Sequence, residues 1–169
     1  MSVPKPLVVE PLTQAAFAPF GEVMDELGAE LRMINEGTTE RYHALAHVDT
    51  SGQHGKPIIS LFRANRRPLP ILVRMLERHP LGSQAFYPLS NRDWLVVVGL
   101  GEARPASDSL RCFRATGTQG VNYARNAWHH PVLVLAPIQD FLVVDREGPG
   151  NNLEEYWFDH PADQRVLSI

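Results

Sequence analysis

Short apolar runs, separated by glycine- and proline-containing turns, dominate the chain after Lys56. Their length and their content of β-branched and aromatic residues are typical of β-strands. The predicted strands cover residues 58–63, 71–79, 84–89, 94–100, 110–115, 132–136 and 141–145. None of them is followed by a long amphipathic helix, which argues against a doubly wound parallel sheet. The pattern therefore predicts a mainly β fold, either a β-barrel or a double-sheet sandwich.

The N-terminal region contains one predicted helix. Thr13 is a suitable N-cap for a helix over residues 14–20, and Gly21 would end it. The 14 prolines and 12 glycines are spread over the whole chain, and no linker, repeat or low-complexity segment stands out. We therefore expect residues 1–169 to form a single domain with a short N-terminal helix.

Composition and charge exclude several classes of partner. The net charge is −3 and no basic face is evident, which argues against nucleic acid, because phosphate neutralisation needs clustered positive charge. The longest apolar runs have seven residues, whereas a membrane span needs roughly 20. No secretory signal is visible, and the single cysteine, Cys112, cannot form an intramolecular disulfide. We expect a cytoplasmic protein whose partner is a small molecule, neither membrane nor nucleic acid.

One face of the predicted strand 71–79 ends in chemically active side chains. Because residues two apart share a face, Glu77 and His79 lie on the same side as the apolar positions 71, 73 and 75. The turn after His79 returns the chain, so that Gln84 can reach the same end of the barrel. On these residues alone, the alternative is a strand end with a salt-bridged glutamate and a solvent-facing histidine.

A second segment, GVNYARNAWHHP at residues 120–131, combines amide, guanidinium and imidazole groups with aromatic rings. Hydrogen-bonding side chains between aromatic ones suit a pocket for a small polar ligand, which makes Asn122, Arg125 and His129 candidates. If the segment is extended, Arg125 and His129 share one face. The alternative is a polar loop whose asparagines form turns and whose Trp128 packs on the core.

Two further polar residues are candidates for binding. Asn35 lies in an Asn-Glu-Gly turn that could help to close a site, or could be an ordinary polar turn. Arg63 ends the predicted strand 58–63, where it could point into the barrel or into solvent. Arginine holds planar carboxylates by two parallel hydrogen bonds. With only Lys5 and Lys56 as lysines, a Schiff-base mechanism is not expected.

The two segments resemble the two cupin motifs. The series Glu77-x-His79, four residues, Gln84 is similar to the first motif, in which H-x-H is followed by a glutamate. Residues 120–129 are similar to the second motif, which places a histidine after a glycine-containing turn. The resemblance implies that Glu77, His79, Gln84 and His129 could hold a divalent metal such as nickel. Neutral Gln84 replaces the usual anionic ligand, so a site without any cofactor is the alternative, and a cupin oxygenase is disfavoured.

A narrower resemblance covers roughly residues 12–146. The strings PLTQAAFAPFGEV, INEGTTERYHALA, MLERHPLGSQAFYPL, VVVGLGE, GTQGVNYARNAWHHP and DFLVVDR resemble ureidoglycolate lyases. The third and fifth strings are long and specific. The resemblance implies a cupin-like fold, a homodimer, and cleavage of (S)-ureidoglycolate to glyoxylate and urea in allantoin degradation, a part of purine metabolism.

The implied reaction assigns roles to the candidate residues. Glu77, His79 and His129 would be catalytic, since imidazole titrates near neutral pH and a carboxylate can orient a histidine or act as the base. Which of the three is the general base stays open. The candidate substrate-binding residues are Asn35, Arg63, Gln84, Asn122 and Arg125, with the arginines on the carboxylate and the amides on the ureido group. The alternative function is a non-catalytic, cupin-like sensor of a small carboxylic acid.

Overall fold

Strands form most of the regular structure in the computed structural model, which describes residues 3–169. The strands of the first 43 residues are β1 (Lys5–Pro6), β2 (Val9–Pro11), β3 (Gly21–Met24), β4 (Glu30–Ile34) and β5 (Thr39–His43). The later strands are β6 (Lys56–Asn65), β7 (Ile71–Val73), β8 (Met75–Arg78), β9 (Gln84–Pro88), β10 (Trp94–Gly99), β11 (Arg111–Ala115), β12 (Gly120–Tyr123), β13 (Trp128–His129), β14 (Leu133–Val134), β15 (Ile138–Glu147), β16 (Glu154–Trp157) and β17 (Arg165–Leu167). In the described chain, helical structure after Lys56 is limited to 3-10 turns at Ser107–Ser109 and Pro161–Asp163.

Two large sheets enclose the main core. The seven-stranded sheet has the order β16-β8-β13-β10-β11-β2, with β14 also paired to β10, and the five-stranded sheet has the order β3-β12-β9-β15-β6. Trp94 and Phe113 from the first sheet pack with Phe86 and Phe141 from the second. The rings of Trp94 and Phe141 meet edge to face at 4.9 Å. The predicted mainly β, double-sheet fold is confirmed.

A small third sheet, β1-β17-β7, covers the back of the seven-stranded sheet. There Leu95 and Val97 of β10 pack in one cluster with Val73 and Leu167. Strand β10 is therefore buried on both faces, which explains why its sequence is an unbroken apolar run. Cys112 also lies in this back cluster, and burial raises the pKa of its thiol to about 12.

The predicted helix exists but is shorter than expected. Helix α1 covers Gln14–Phe17, and the Thr13 hydroxyl accepts a hydrogen bond from the Ala16 N–H at 3.1 Å. The helix does not continue to residue 20, because Pro19 has no N–H to donate, and the Phe20 N–H donates to the Phe17 carbonyl oxygen in a turn. Gly21 has φ +147°, and a Cβ there would lie 2.0 Å from the Asn122 carbonyl oxygen. Glycine is thus required where the chain enters β3.

The predicted strand 71–79 is wrong as a single strand. It is interrupted at Arg74, whose carbonyl accepts a hydrogen bond from the Phe158 N–H, and the two halves join different sheets. Strand β7 pairs with β17, whereas β8 pairs with β13 and β16. The interruption shifts by one residue the alternation of side chains between the two faces. Val73 and Leu76 therefore pack in the same back cluster, although they are three residues apart. Glu77 therefore lies on the opposite side from positions 71 and 73.

The five strands before Lys56 were not among the predicted elements. Two of them, β1 and β2, are parallel partners of β17 and β11, so their formation depends on residues more than 100 positions away. Strands β4 and β5 form a separate two-stranded sheet. No helix among residues 3–169 has the length and apolar character needed to cross a membrane.

We expect F113A to lower the free energy of unfolding by about 3–5 kcal/mol, because Phe113 is fully buried against Phe17 and Phe20. The matched control is R114A, one residue along β11, which removes an exposed ion pair with Asp93 worth about 1 kcal/mol or less. Urea unfolding monitored by circular dichroism measures both. Similar losses for the two variants would contradict the assigned faces of β11.

Candidate active site

The pairing of β13 with β8 places His129 directly opposite Glu77. Leu76, Arg78 and Trp128, their neighbours in sequence, point to the other face, where the Arg78 guanidinium stacks 4.4 Å from the Trp128 ring centroid. On the inner face, the His129 imidazole stacks on the Tyr123 ring at 4.0 Å with nearly parallel planes. Because Tyr123 belongs to the five-stranded sheet, His129 lies between the two sheets.

The chain after β8 brings His79 and Gln84 to the same place. The His79 Nε2 atom lies 3.0 Å from Gln84 Oε1, and its Nδ1 lies 2.7 Å from the Asn152 carbonyl oxygen. The Gln84 Nε2 group donates to Asp145 Oδ2 at 3.2 Å, which directs its carbonyl oxygen towards His79. The rings of His79 and His129 are 5.2 Å apart. The structure thus brings Glu77, His79, Gln84 and His129 together.

Three of these residues could hold a metal ion. One donor atom each from Glu77, His79 and His129 lies within 4.8 Å of the other two. The His129 Nε2 atom is buried without a hydrogen-bond partner, and its lone pair is therefore free to bind a metal ion or a substrate. Carboxylate and imidazole are competent ligands for divalent transition metals. The His79 Nε2 atom, by contrast, already faces the Gln84 oxygen.

The hydrogen-bond partners assign the proton of His129. His129 Nδ1 lies 2.9 Å from the Ala127 carbonyl oxygen and must donate to it, which leaves the lone pair on Nε2. Burial lowers the pKa of His129 to about 3, with a smaller contribution from the nearby charge of His79. His129 is therefore neutral. Both nitrogens of His79 face oxygen atoms.

The pKa of Glu77 is shifted in the opposite direction to that of His129. Burial raises the pKa of its carboxyl group above the usual range, against the attraction of His79. The charge of Glu155, its neighbour on β16, adds to the increase. Its Oε1 atom lies 3.6 Å from His129 Nε2, too far for a hydrogen bond. A carboxyl that can hold a proton beside a neutral imidazole suits general acid–base chemistry.

Asn122 and Arg125 lie on the outer side of the five-stranded sheet. Asn122 precedes Tyr123 on β12, so its side chain points away from His129 and donates to Glu22 Oε2 and the His47 carbonyl oxygen, both at 3.0 Å. The segment 124–127 is a turn rather than an extended strand, with Asn126 at φ +65°. The expected shared face of Arg125 and His129 is therefore wrong. Arg125 instead donates to Asp49 Oδ1 at 2.7 Å.

Arg63 and Asn35 also lie away from the cluster of Glu77, His79, Gln84 and His129. Arg63 forms two hydrogen bonds with Asp140, of 2.8 and 2.9 Å, on strands β6 and β15. Asp140 precedes Asp145, the partner of Gln84, by five residues along β15, which corresponds to about 16 Å. Asn35 lies at the turn of the β4–β5 hairpin and donates to the Thr39 hydroxyl. Neither residue contacts the cluster around His129.

Comparison with known proteins identifies the family. Residues 4–164 match the family described as ureidoglycolate lyase. A protein from Rhizobium etli named ureidoglycolate lyase is 54% identical over 160 residues, which is 94% of this chain and 95% of that protein. One of the same name from Pseudomonas entomophila is 53% identical over 162 residues, 95% of each. The chain belongs to the ureidoglycolate lyase family. The relatives' names support the lyase prediction and not the sensor alternative.

Among solved structures, a dTDP sugar isomerase from Desulfovibrio desulfuricans has a TM-score of 0.45 and 17% identity, covering 79% of this chain and 85% of that one. This likeness is too distant to bear on the site of a ureidoglycolate lyase family member.

Three residues near the cluster were not predicted from the sequence. Residues two apart on a strand share a face, so Asp145 lies on the same inward face of β15 as Phe141 and Val143. The pattern that marked Glu77, a polar residue at the end of an apolar strand, would therefore have marked Asp145 too. Asn152 reaches His79 through its backbone carbonyl, which no side-chain pattern reveals. Arg67 lies close enough for its charge to oppose the rise that burial causes in the pKa of Glu77.

We expect His129 in metal-free protein to be neutral and protonated on Nδ1 at pH 7. Because burial lowers its folded-state pKa to about 3, below the unfolded value of about 6.5, the stability linked to His129 is complete above pH 6.5 and falls as the pH decreases towards 3. Imidazole 15N shifts measured against pH test this, with the urea-unfolded protein as the control. A His129 signal that titrates near 6.5 would show that the ring is solvated.

Proposed function

We propose that this chain is a carbon–nitrogen lyase of the amidine-lyase type that splits (S)-ureidoglycolate into glyoxylate and urea in allantoin degradation. The observation that carries the proposal is the cluster of Glu77, His79 and His129 between the sheets of a chain that belongs to the ureidoglycolate lyase family. The reaction removes a hydroxyl proton, breaks a carbon–nitrogen bond and protonates the departing nitrogen. The cluster supplies a base and an acid for these steps.

His129 is the general base in this proposal. Its Nε2 lone pair has no partner in the protein, and its Nδ1–H is held by the Ala127 carbonyl oxygen, which fixes the ring orientation. His129 Nε2 takes the proton of the substrate hydroxyl group. The oxygen electrons then form the aldehyde C=O bond of glyoxylate, and the electron pair of the carbon–nitrogen bond leaves on the urea nitrogen.

Glu77 is the general acid. Its raised pKa, caused mainly by burial, favours a carboxyl group that carries a proton when substrate binds. It gives this proton to the leaving urea nitrogen, and the protonated His129, 3.6 Å away, returns one to it after the products leave. Atoms and charges therefore balance over one turnover. The charge of His79, which opposes the rise in the pKa of Glu77, stabilises the Glu77 carboxylate formed in between.

His79, Gln84 and Asp145 position this pair. Asp145 accepts from the Gln84 amide, and the Gln84 oxygen in turn accepts from His79. The second His79 nitrogen faces the Asn152 carbonyl oxygen, so the ring cannot rotate without loss of a partly buried hydrogen bond. In this arrangement Gln84 acts on His79 rather than on the ureido group.

Arg67 is the proposed partner of the substrate carboxylate. Arg63 and Arg125 are already paired with Asp140 and Asp49. Arg67 forms no ion pair with any residue in the range 3–169, and its charge reaches Glu77. A guanidinium that has no carboxylate partner and whose charge reaches Glu77 suits an anionic substrate.

A divalent metal, nickel for example, would be held by Glu77, His79 and His129 and would act as a Lewis acid towards the ureido group. We propose that turnover does not require it, because Gln84 is a neutral amide whose oxygen occupies His79 Nε2.

We also propose a homodimer, the commonest closed assembly. A cytoplasmic location is proposed because the buried, unpaired thiol of Cys112 needs no oxidising compartment.

We expect H129A to reduce kcat for glyoxylate formation about 10²–10⁴-fold, the usual contribution of a general base. Metal-stripped wild-type protein should keep most of its rate, and addition of nickel, manganese or zinc should change it little. R63A, whose side chain lies on a distant part of β6, is the control and should behave as wild type. If stripped protein is inactive and a metal restores it, the metal-independent mechanism is wrong.

We expect R67A to raise KM for ureidoglycolate at least 10-fold with a smaller effect on kcat, because a guanidinium–carboxylate pair contributes mainly to substrate binding. The matched controls are R63A and R125A, which remove arginines already paired within the chain. Steady-state kinetics distinguish the three arginines. A KM effect confined to R125A would move the carboxylate site to the outer side of the five-stranded sheet.

A further inference from the structure

A second cavity lies on the outer side of the five-stranded sheet, where the connection between β5 and β6 contacts β3 and β12. We call it the outer cavity, and its volume of about 350 Å³ is in the range of small-molecule pockets. Its polar lining residues are Glu22, His47, Asp49, Ser83, Asn122 and Arg125. Asn122 and Tyr123 are neighbours on β12 and point to opposite faces, so the sheet separates this cavity from the candidate active site.

One wall of the outer cavity contains a buried acceptor without a partner. Asn122 is 3% exposed, and its Nδ2 group donates to Glu22 Oε2 and to the His47 carbonyl oxygen, both at 3.0 Å. Because both neighbours are acceptors, the amide cannot be turned round without bringing oxygen against oxygen. The Asn122 Oδ1 atom is therefore fixed in place, and it has no hydrogen-bond partner among residues 3–169. Buried polar atoms normally have a partner, so this atom lacks a donor.

A donor without a partner lies in the turn that follows β12. The Arg125 Nη2 group is anchored 2.7 Å from Asp49 Oδ1, whereas its Nε–H is buried without an acceptor in the described chain. The Arg125 side chain is 33% exposed, which leaves it room to direct Nε towards a ligand. Asp49 Oδ1 also receives the hydrogen bonds from Ser51, and Asp49 Oδ2 accepts none from residues 3–169. The outer cavity thus offers one donor and two acceptors.

The charges around the outer cavity select against an anion. The hydrogen bond from Arg125 holds the pKa of Asp49 below its usual range. Burial raises the pKa of Glu22, but hydrogen bonds from His47 and Asn122 outweigh this effect and keep the pKa below its usual range. Two carboxylates therefore face one guanidinium, and the cavity is at most neutral even when His47 carries a proton. A carboxylate ligand would meet like charge there, whereas a neutral ligand would not.

We propose that the outer cavity is a second binding site, which takes a neutral ureido or primary carboxamide compound. The ligand carbonyl oxygen accepts from Arg125 Nε–H, and the ligand NH2 group donates to Asn122 Oδ1 and Asp49 Oδ2. A ureido or carboxamide group carries its acceptor and its donors side by side in one plane, as these three atoms require. Urea belongs to this class, but the site stands on its own geometry and does not depend on the proposed function.

An NMR titration of the 15N-labelled full chain tests the proposal with urea and acetamide as probes. Both should shift the Arg125 Nε–H signal and the Asn122 side-chain amide signals with saturation below about 50 mM, far under the molar concentrations that unfold proteins. Acetate is the matched control ligand, because it has the shape of acetamide but no N–H and a negative charge. It should shift neither signal. Unsaturated shifts with urea and acetamide, or equal binding of acetate, would overturn the proposal.

Two variants test the location of the site. Ala18 is exposed and lines the outer cavity, so the leucine in A18L occupies part of its volume. R125K keeps a positive charge beside Asp49 but has no Nε–H. We expect each to weaken acetamide binding about 10-fold or more, the effect of one lost hydrogen bond to a charged group, as measured on the Asn122 amide signals.

The matched control is A15L. Ala15 lies in α1, three residues before Ala18, and is exposed without lining the outer cavity. A15L should therefore bind acetamide like wild type, and circular dichroism confirms that each variant is folded. Wild-type affinity in folded A18L would place the ligand elsewhere and overturn the proposal.

Glyoxylate formation, measured on the same samples, separates this site from the lyase proposal. A18L and R125K should keep the kcat and KM of wild type, because neither residue contacts the cluster around His129. Loss of turnover in folded A18L would make the outer cavity a part of the active site and would overturn its assignment as a second site. A wild-type protein that binds acetamide but forms no glyoxylate would refute the proposed function alone.

Discussion

His129 faces Glu77 because β13, only two residues long, pairs with β8 at that position, and the candidate active site depends on this pairing. Burying an imidazole and a carboxyl together costs free energy unless they are neutral or hydrogen-bonded. The protein offsets the cost with the Ala127 carbonyl on one side of His129 and the Tyr123 ring against its plane. The same desolvation keeps His129 neutral, with a free lone pair on Nε2, and raises the pKa of Glu77, so that its carboxyl group can hold a proton.

The position of each arginine in the fold decides whether a carboxylate of the chain can pair with it. Where a carboxylate faces an arginine across neighbouring strands, as with Arg63 and Asp140 or Arg111 and Glu10, the pair is satisfied within the chain. The guanidinium groups of such arginines already bind a carboxylate of the chain, so they are less suited to bind an anionic substrate. An arginine in a connecting loop, such as Arg67 between β6 and β7, has no cross-strand partner to satisfy it.

Much of the fold and part of the site could be predicted from the sequence, for identifiable reasons. The Thr13 cap, the doubly buried β10 and the convergence of His79 with Gln84 follow from local patterns. The break at Arg74 and the turn at Asn126 could not, because a hydrogen bond from Phe158 and a left-handed residue each interrupt an otherwise regular alternation. Strand β1 was missed because two residues form a strand only when a distant segment supplies the partner.

The burial of Cys112 has a practical consequence for studying this protein. Thiol reagents attack the thiolate, and a thiol whose pKa is about 12 is almost entirely protonated at neutral pH as well as inaccessible. Cys112 is the only cysteine in the chain. A cysteine introduced on the surface would therefore be the single site that accepts a fluorophore or spin label, and the native residue need not be removed from its packed position behind β10.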